Sequence, residues 1–269
     1  MQHKYIVTWE YLLEKIENNV LFYQNKVDRI SNYLQKKENI LFLTTSNRWT
    51  GHEDDIPKST QLAYHIREKL PHKNIKILNI PDLKIYPCEG NVSSKWGNHC
   101  GTKDSVLKDK TKNPTGFHRC WASINNKDDE LWKVSKPLFE SDCIVFFVSV
   151  RWGQANMFYQ KLIERLTWIE NRHSTLGESN IISGKDAGII LIGQNYNGKS
   201  VLNTQKKVLE FFGFNVPDQL SFNWQYTSDP LDETAGSYKA AIKVFAKYLA
   251  FLQKNKLLIY QINSFILTG

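Results

Sequence analysis

Hydroxyl and cationic side chains follow the apolar run at residues 39–45. Ser46 and Arg48 come directly after this run, and Ser59 and Thr60 open the next amphipathic segment. Hydroxyl groups, a guanidinium and the backbone N–H groups at the start of a helix together make a site for an anion such as a phosphate. Serine and threonine are also ordinary helix caps. The sequence therefore predicts either an anion site or a capped helix behind a solvated loop.

A second cluster of polar and aromatic residues follows the apolar run 143–148. Its members are Ser149, Val150, Arg151, Trp152 and Gly153. An indole ring offers a flat apolar wall, and a glycine lets backbone N–H groups approach a ligand closely. This combination suits the binding of a planar ring with a polar edge. The alternative is a tryptophan that only covers the end of a strand.

A third cluster follows the apolar run 187–192 and consists of Gln194, Asn195, Tyr196 and Gly198. A tyrosine ring can stack on a planar ligand. Side-chain amides can donate and accept hydrogen bonds at the edge of such a ligand. Taken alone, this cluster is a weak signal, and it gains meaning only if the three apolar runs are neighbouring strands.

Hydrophobic spacing places these clusters in an alternation of strands and helices. Short apolar or alternating runs predict strands, and apolar residues at every third or fourth position predict helices. The predicted strands cover residues 39–45, 75–80, 143–150, 187–192 and 218–226. The predicted helices cover residues 8–37, 59–70, 128–140, 155–171, 199–212 and 232–255.

This alternation implies right-handed crossovers and a parallel sheet with helices on both faces. We expect an α/β protein, a flavodoxin-like three-layer sandwich whose five-stranded parallel sheet has the order 2-1-3-4-5. The chain would comprise an N-terminal helical extension (1–38), a core domain (39–256) with an irregular insertion (84–127), and a C-terminal tail (257–269). Ligands of such sheets bind at the carboxyl ends of the strands, where the three clusters would meet.

Over residues 39–215 the chain resembles the NAD(P)H-dependent FMN reductase and iron–sulfur flavoprotein group of the flavodoxin-like superfamily. That group has a Ser-x-Arg and then Ser/Asn-Thr phosphate loop after its first strand, here Ser46 to Arg48 and Ser59-Thr60. It also has a Thr/Ser-Pro-x-Tyr-Trp/Asn-Gly turn followed by Leu-Lys and Asp-Arg on the next helix. The matching residues here are Ser149 to Gly153, Lys161 and Glu164-Arg165, and Asp128-Asp129 matches the start of the preceding helix.

Three departures from the group's pattern stand beside these matches. Several additional residues separate Arg48 from Ser59, Val150 replaces the group's proline, and Arg151 replaces its tyrosine. The departures leave open an alternative, a non-catalytic flavodoxin-like module that acts as an electron carrier or a binding scaffold. Carriers of that kind are usually acidic, whereas this chain is basic.

The resemblance implies that residues 39–256 form an FMN-binding domain. The FMN phosphate would contact Ser46, Arg48, Ser59 and Thr60, and the ring would lie against Ser149, Val150, Arg151, Trp152 and Gly153 and the loop with Gln194, Asn195, Tyr196 and Gly198. The implied activity is hydride transfer from NADPH or NADH through FMN to a quinone, a flavin or a similar small acceptor. Because the cofactor supplies this chemistry, we assign no catalytic acid or base. The resemblance also implies a homodimer or a tetramer.

The composition limits the remaining classes of partner. The net charge is +8, but the lysines are scattered and no Lys/Arg stripe is interleaved with aromatic residues, so a solvated basic surface is favoured over a nucleic-acid site. No apolar run reaches the roughly 20 residues of a membrane span, and no apolar signal core follows the N-terminus. We expect no membrane partner and a cytoplasmic location.

Three of the four cysteines lie in the insertion 84–127, together with two histidines. These residues are Cys88, Cys100, Cys120, His99 and His118. Metal and iron–sulfur sites usually include a closely spaced ligand pair such as C-x-x-C, which is missing here. We therefore expect free thiols and no bound metal, with a metal or a cluster as the alternative.

Overall fold

The computed structural model describes residues 23–48, 56–193 and 197–225. Its strands are β1 (Asn39–Thr44), β2 (Asn74–Asn79), β3 (Cys143–Arg151), β4 (Gln154–Ala155), β5 (Asp186–Gly193) and β6 (Phe222–Gln225). Five of them form a parallel sheet in the order β2-β1-β3-β5-β6, while β4 pairs antiparallel with the end of β3. The five parallel strands thus have the predicted order 2-1-3-4-5, and the flavodoxin-like fold is confirmed.

Helices cover both faces of this sheet. They are α1 (helical at residues 23–34 of the described chain), α2 (Lys58–Glu68), α3 (Trp121–Asn125), α4 (Trp132–Glu140), α5 (Met157–Ser174) and α6 (Gly198–Phe212). Buried side chains of α4, α5 and α6 pack on one face, and those of α1 and α2 pack on the other. None of the helices in the described ranges combines the length and apolarity needed to cross a membrane.

The central strands are apolar at successive positions because both of their faces are covered. In β1, Leu41 and Leu43 join the core beneath α4 and α5, whereas Ile40 and Phe42 join the core beneath α1 and α2. The same alternation runs through β3 and β5. Successive side chains of a strand point to opposite faces, so a strand buried on both sides shows no polar alternation. This arrangement explains why apolar runs predicted these strands.

Some predicted boundaries differ from the structure. Helix α4 begins at Trp132 rather than at residue 128, because the backbone at Asp129 turns its carboxylate toward α5 instead of starting a helix. Strand β3 continues to Arg151, one residue beyond its predicted end. The predicted helix 232–255, the tail 257–269 and the first 22 residues of the N-terminal extension lie outside the described residues.

The insertion 84–127 is fixed to α5 by a buried polar network. Arg165 forms a fully buried ion pair with Asp129 and also donates to the Tyr86 carbonyl and the Ser123 hydroxyl. Burial opposes ionisation of Asp129, but the hydrogen bonds and charge of Arg165 outweigh it and hold the pKa of this carboxyl below its usual value. Arg165 therefore serves to hold the insertion on α5.

His118 extends the network from the insertion to α4. The Ser123 hydroxyl donates to Asp129, so it accepts from His118 Nε2 at 2.9 Å, and His118 Nδ1 then accepts from the Ser135 hydroxyl at 2.6 Å. This arrangement requires a neutral imidazole with its proton on Nε2. Burial lowers the pKa of His118 to about 3, which agrees with that assignment.

Candidate functional site

The carboxyl ends of β1 and β3 form the topological switch point of the sheet. From β1 the chain crosses to β2 on one side, and from β3 it crosses to β5 on the other, so the loops after these two strands diverge. Such a divergence leaves a crevice at the sheet edge, which is where open α/β sheets bind ligands. The three predicted clusters follow β1, β3 and β5 and therefore lie at this one edge.

The first cluster joins the end of β1 to the start of α2. The Ser59 hydroxyl donates to the Ser46 hydroxyl at 2.6 Å, and both residues are buried. Thr60 is 5% exposed, and its hydroxyl has no hydrogen-bond partner. Arg48 lies exposed on the same loop. The structure thus brings Ser46 and Ser59 into contact, and Thr60 follows Ser59 in the first turn of α2.

The residue at the N-cap position of α2 provides no side-chain acceptor. Pro57 occupies this position, none of the described side chains caps the helix, and no acidic residue lies in the first turn. The first N–H groups of a helix have no intrahelical partner and carry a partial positive charge. Ser59 and Thr60 lie inside the first turn, after the N-cap position, so the interpretation of these residues as ordinary helix caps is wrong. The turn contains a buried Thr60 hydroxyl that lacks a partner.

The second cluster forms a β-hairpin rather than a loop. Val150 pairs with Ala155 and Arg151 with Gln154, which leaves Trp152 and Gly153 as a two-residue turn. Both turn residues have positive φ, 51° for Trp152 and 67° for Gly153. Positive φ at both positions is the signature of a type I′ turn, for which Asn-Gly is the preferred sequence. The Trp152 side chain is 95% exposed at the tip of this hairpin.

Arg151 connects the hairpin to the first cluster. Its Nη2 donates to the Asn47 carbonyl at 3.0 Å, on the exposed side of the site. The FMN reductase group that the sequence resembles has a tyrosine at this position. Here the position holds an arginine whose side chain bonds to the loop after β1.

The third cluster is described only in part, because Gln194, Asn195 and Tyr196 lie outside the described residues. Next to them, Asn197 adopts a positive φ of 59° and its Nδ2 donates to the Gly153 carbonyl at 2.9 Å. A Cβ on Gly198 would lie 2.7 Å from the Asn223 amide, so this glycine permits α6 to pack on β6. The structure gives Gly198 this packing role.

Asn156 is a site residue that the sequence analysis missed. It caps α5, and its side chain also reaches Thr45 and Ser149 at the ends of β1 and β3. An asparagine just before an amphipathic helix is a standard N-cap signal, and that signal could have identified the residue. Its contact with Thr45 joins positions 111 residues apart, which no local pattern reveals.

The cysteines of the insertion are free thiols. Cys100 is largely buried, and this burial raises the pKa of its thiol to about 12. Within residues 23–48, 56–193 and 197–225, no three His, Cys, Asp or Glu side chains are grouped so that they could hold a metal ion.

Comparisons with known proteins found structural similarity alone. No protein-family model matches the sequence, and a search of curated proteins found no match. One similar solved structure is RosB with bound 8-demethyl-8-formylriboflavin-5′-phosphate, at 15% identity and a TM-score of 0.49, covering 79% of this chain and 76% of that chain. A second is an azoreductase from Bacillus anthracis, at 13% identity and a TM-score of 0.48, covering 81% and 99% of the two chains. A third is general stress protein 14 from Treponema denticola in complex with FMN, at 8% identity and a TM-score of 0.41, covering 80% and 98%.

Proposed function

We propose that this chain is an FMN-dependent oxidoreductase that takes a hydride from NADH or NADPH and reduces a quinone, a flavin or a similar small acceptor. One observation carries the proposal: the first turn of α2 holds the Ser46–Ser59 hydroxyl pair and, at the next residue, the buried hydroxyl of Thr60, which has no partner. An unsatisfied buried hydroxyl costs stability, and a phosphate oxygen bound at this helix N-terminus, which favours anions, would satisfy it. The residues present therefore fit the phosphate end of FMN.

The residues of the other clusters would receive the ring. Trp152 presents an exposed aromatic surface at the hairpin tip, and aromatic side chains stack favourably on planar ligands. Asn197 Nδ2 donates to the Gly153 carbonyl, which connects the start of α6 to the hairpin turn. FMN, when bound, supplies two-electron transfer. The protein's part is to bind the phosphate through Ser46, Arg48, Ser59 and Thr60 and to hold the ring at the sheet edge.

A comparison of FMN with riboflavin tests the phosphate site directly. Titrations followed by flavin fluorescence should give much tighter binding for FMN, because riboflavin lacks the phosphate. Ser46→Ala should weaken FMN binding and leave riboflavin binding unchanged, and Ser174→Ala, at the exposed end of α5, should change neither. Equal affinity for the two flavins, or no binding of either, would refute the proposed site.

A non-catalytic scaffold without flavin is the second candidate, and one contact favours it. The Arg151–Asn47 hydrogen bond joins the first and second clusters, and a ring that enters between them would have to displace it. Such a scaffold would bind neither flavin in the titrations, whereas an electron carrier would bind FMN but fail to accept a hydride from either nicotinamide.

We also propose that the chain assembles as a homodimer or a tetramer. The proposal rests on the resemblance to the FMN reductase group. Light scattering coupled to size-exclusion chromatography would test it, and a monomer at micromolar concentration would refute it.

A further inference from the structure

Asn156 lies buried beneath the candidate site, at 3% exposure, between β4 and α5. Its Nδ2 donates to the Thr45 hydroxyl at 3.0 Å and to the Ser149 hydroxyl at 3.1 Å, with the Ser149 carbonyl at 3.4 Å. Its Oδ1 accepts from the Tyr159 N–H at 3.1 Å, and its own N–H donates to the Ser149 carbonyl at 3.0 Å. One side chain therefore joins the ends of two strands to the first turn of a helix.

The neighbouring hydrogen bonds fix the orientation of this amide. The Thr45 hydroxyl donates to the Phe147 carbonyl at 3.2 Å, so its single proton is already used and it can only accept from Asn156. The Tyr159 backbone N–H can only donate, so it requires the amide oxygen. The two ends of the Asn156 amide thus perform different tasks: the oxygen caps α5, and the nitrogen joins the strand ends.

The positions joined by the nitrogen lie where the two halves of the candidate site begin: Thr45 comes just before the first cluster, and Ser149 is the first residue of the second cluster. Val150, which follows Ser149, lies at the base of the hairpin. A ligand that contacts both clusters requires a fixed separation between them. The Arg151–Asn47 hydrogen bond also joins the two clusters, but it is exposed to water. It therefore contributes less free energy to holding the clusters together than a buried network does.

We propose that Asn156 is a positioning residue that holds the first cluster and the hairpin at the separation required to bind FMN. This inference rests on the proposed function, and it adds a residue that the resembled pattern does not include. The simpler explanation is that Asn156 only caps α5, and a suitable substitution separates the two roles.

Asn156→Ser keeps a neutral oxygen that can cap α5 but removes the amide nitrogen. Serine and asparagine are comparable N-caps, so the helix cap should be retained, and the melting temperature should fall only by the few degrees that correspond to the lost buried hydrogen bonds. Two lost hydrogen bonds should raise the Kd for FMN about tenfold or more. Hydrogen exchange should become faster at Thr45, whose N–H donates to the Phe147 carbonyl, and in the hairpin 150–155, while β5 stays protected.

The partners of Asn156 provide a second, independent variant. Thr45→Val with Ser149→Ala leaves the Asn156 cap in place and removes both hydroxyls that accept from its nitrogen. This variant should raise the Kd for FMN to a similar extent, and adding Asn156→Ser to it should have little further effect, because residues that act through one network are not additive.

The outcomes distinguish this inference from the proposed function. If wild-type protein binds FMN and Asn156→Ser binds it equally well with unchanged exchange, Asn156 is only a cap and the inference is wrong. If wild-type protein does not bind FMN, the proposed function fails, and with it the role of Asn156 in FMN binding. Faster exchange in both segments of Asn156→Ser would then show only that Asn156 connects them. If Asn156→Ser fails to fold, the Thr45→Val, Ser149→Ala protein decides by the same two measurements.

Discussion

Thr60→Val should change stability and flavin binding in opposite directions. The Thr60 hydroxyl is buried in the first turn of α2 without a hydrogen-bond partner. Valine has nearly the same shape and is also β-branched, so the packing and the helix propensity of this position change little. The substitution therefore isolates the hydroxyl.

The magnitudes follow from the environment of that hydroxyl. A buried polar group without a partner costs about 1–3 kcal/mol, so valine should raise the free energy of unfolding of the flavin-free protein by up to that amount. At this chain length each kcal/mol corresponds to roughly 2–4 °C in melting temperature. A hydrogen bond to a charged phosphate contributes about 1.5–3 kcal/mol, so the Kd for FMN should rise roughly 10- to 150-fold.

Two measurements on the same preparation check this prediction. Thermal unfolding of the flavin-free protein gives the change in melting temperature, and fluorescence titration gives the Kd for FMN. Thr175→Val, in the exposed residue that follows α5, is the matched control and should alter neither quantity. A Thr60→Val protein that melts lower than the wild type, or that binds FMN with unchanged affinity, would contradict the assignment of this hydroxyl to a ligand.

Three further predictions concern the hairpin and the buried network. Trp152→Asn creates the preferred Asn-Gly type I′ turn and should raise the melting temperature by removing a left-handed tryptophan, while FMN titration should show weaker binding because the stacking surface is lost. Burial lowers the pKa of His118 to about 3 in the folded protein, whereas in the unfolded chain this histidine binds a proton below pH ~6.5. The free energy of unfolding, measured in urea, should therefore fall by about 1.5 kcal/mol between pH 6.5 and pH 5. His118→Gln should flatten this slope and His72→Gln, at an exposed position, should retain it; equal slopes in all three proteins would refute the assignment. Arg165→Met leaves Asp129 buried without its ion pair and should lower the free energy of unfolding, measured in urea, by about 3–5 kcal/mol. Adding Asp129→Asn should recover part of that free energy. A small decrease for Arg165→Met alone would mean that the pair is not buried in solution.

The parallel sheet could be predicted because its signal is local. Strands β1, β3 and β5 are buried on both faces, so their sequences are continuous apolar runs that need no knowledge of partners. The alternation with helices and the handedness of crossovers predicted a parallel sheet, and the order was predicted from the flavodoxin-like arrangement that is common for five such strands. The contact between the Ser46 and Ser59 hydroxyls could be predicted for the same reason, since Ser46 follows a predicted strand and Ser59 begins a predicted helix.

Features that depend on distant contacts could not be predicted. The pair Trp152-Gly153 is not a typical hairpin sequence, and the return strand β4 has only two residues, so no periodicity indicated a hairpin. The start of α4 was placed too early because Asp129 serves as the partner of Arg165, 36 residues away, instead of beginning a helix. Asn156 was recognisable as a cap, but its second role depends on Thr45 at the end of another strand.

The reduction of bound FMN by a nicotinamide tests the central proposal most directly. The protein is loaded with FMN, separated from free flavin, and mixed with NADPH or NADH under anaerobic conditions while its visible spectrum is recorded. The proposed function predicts that the flavin absorbance is bleached in a single phase by at least one nucleotide and recovers when a quinone is added. A protein that retains no flavin, or whose flavin neither nucleotide bleaches, would contradict the assignment as an FMN-dependent oxidoreductase.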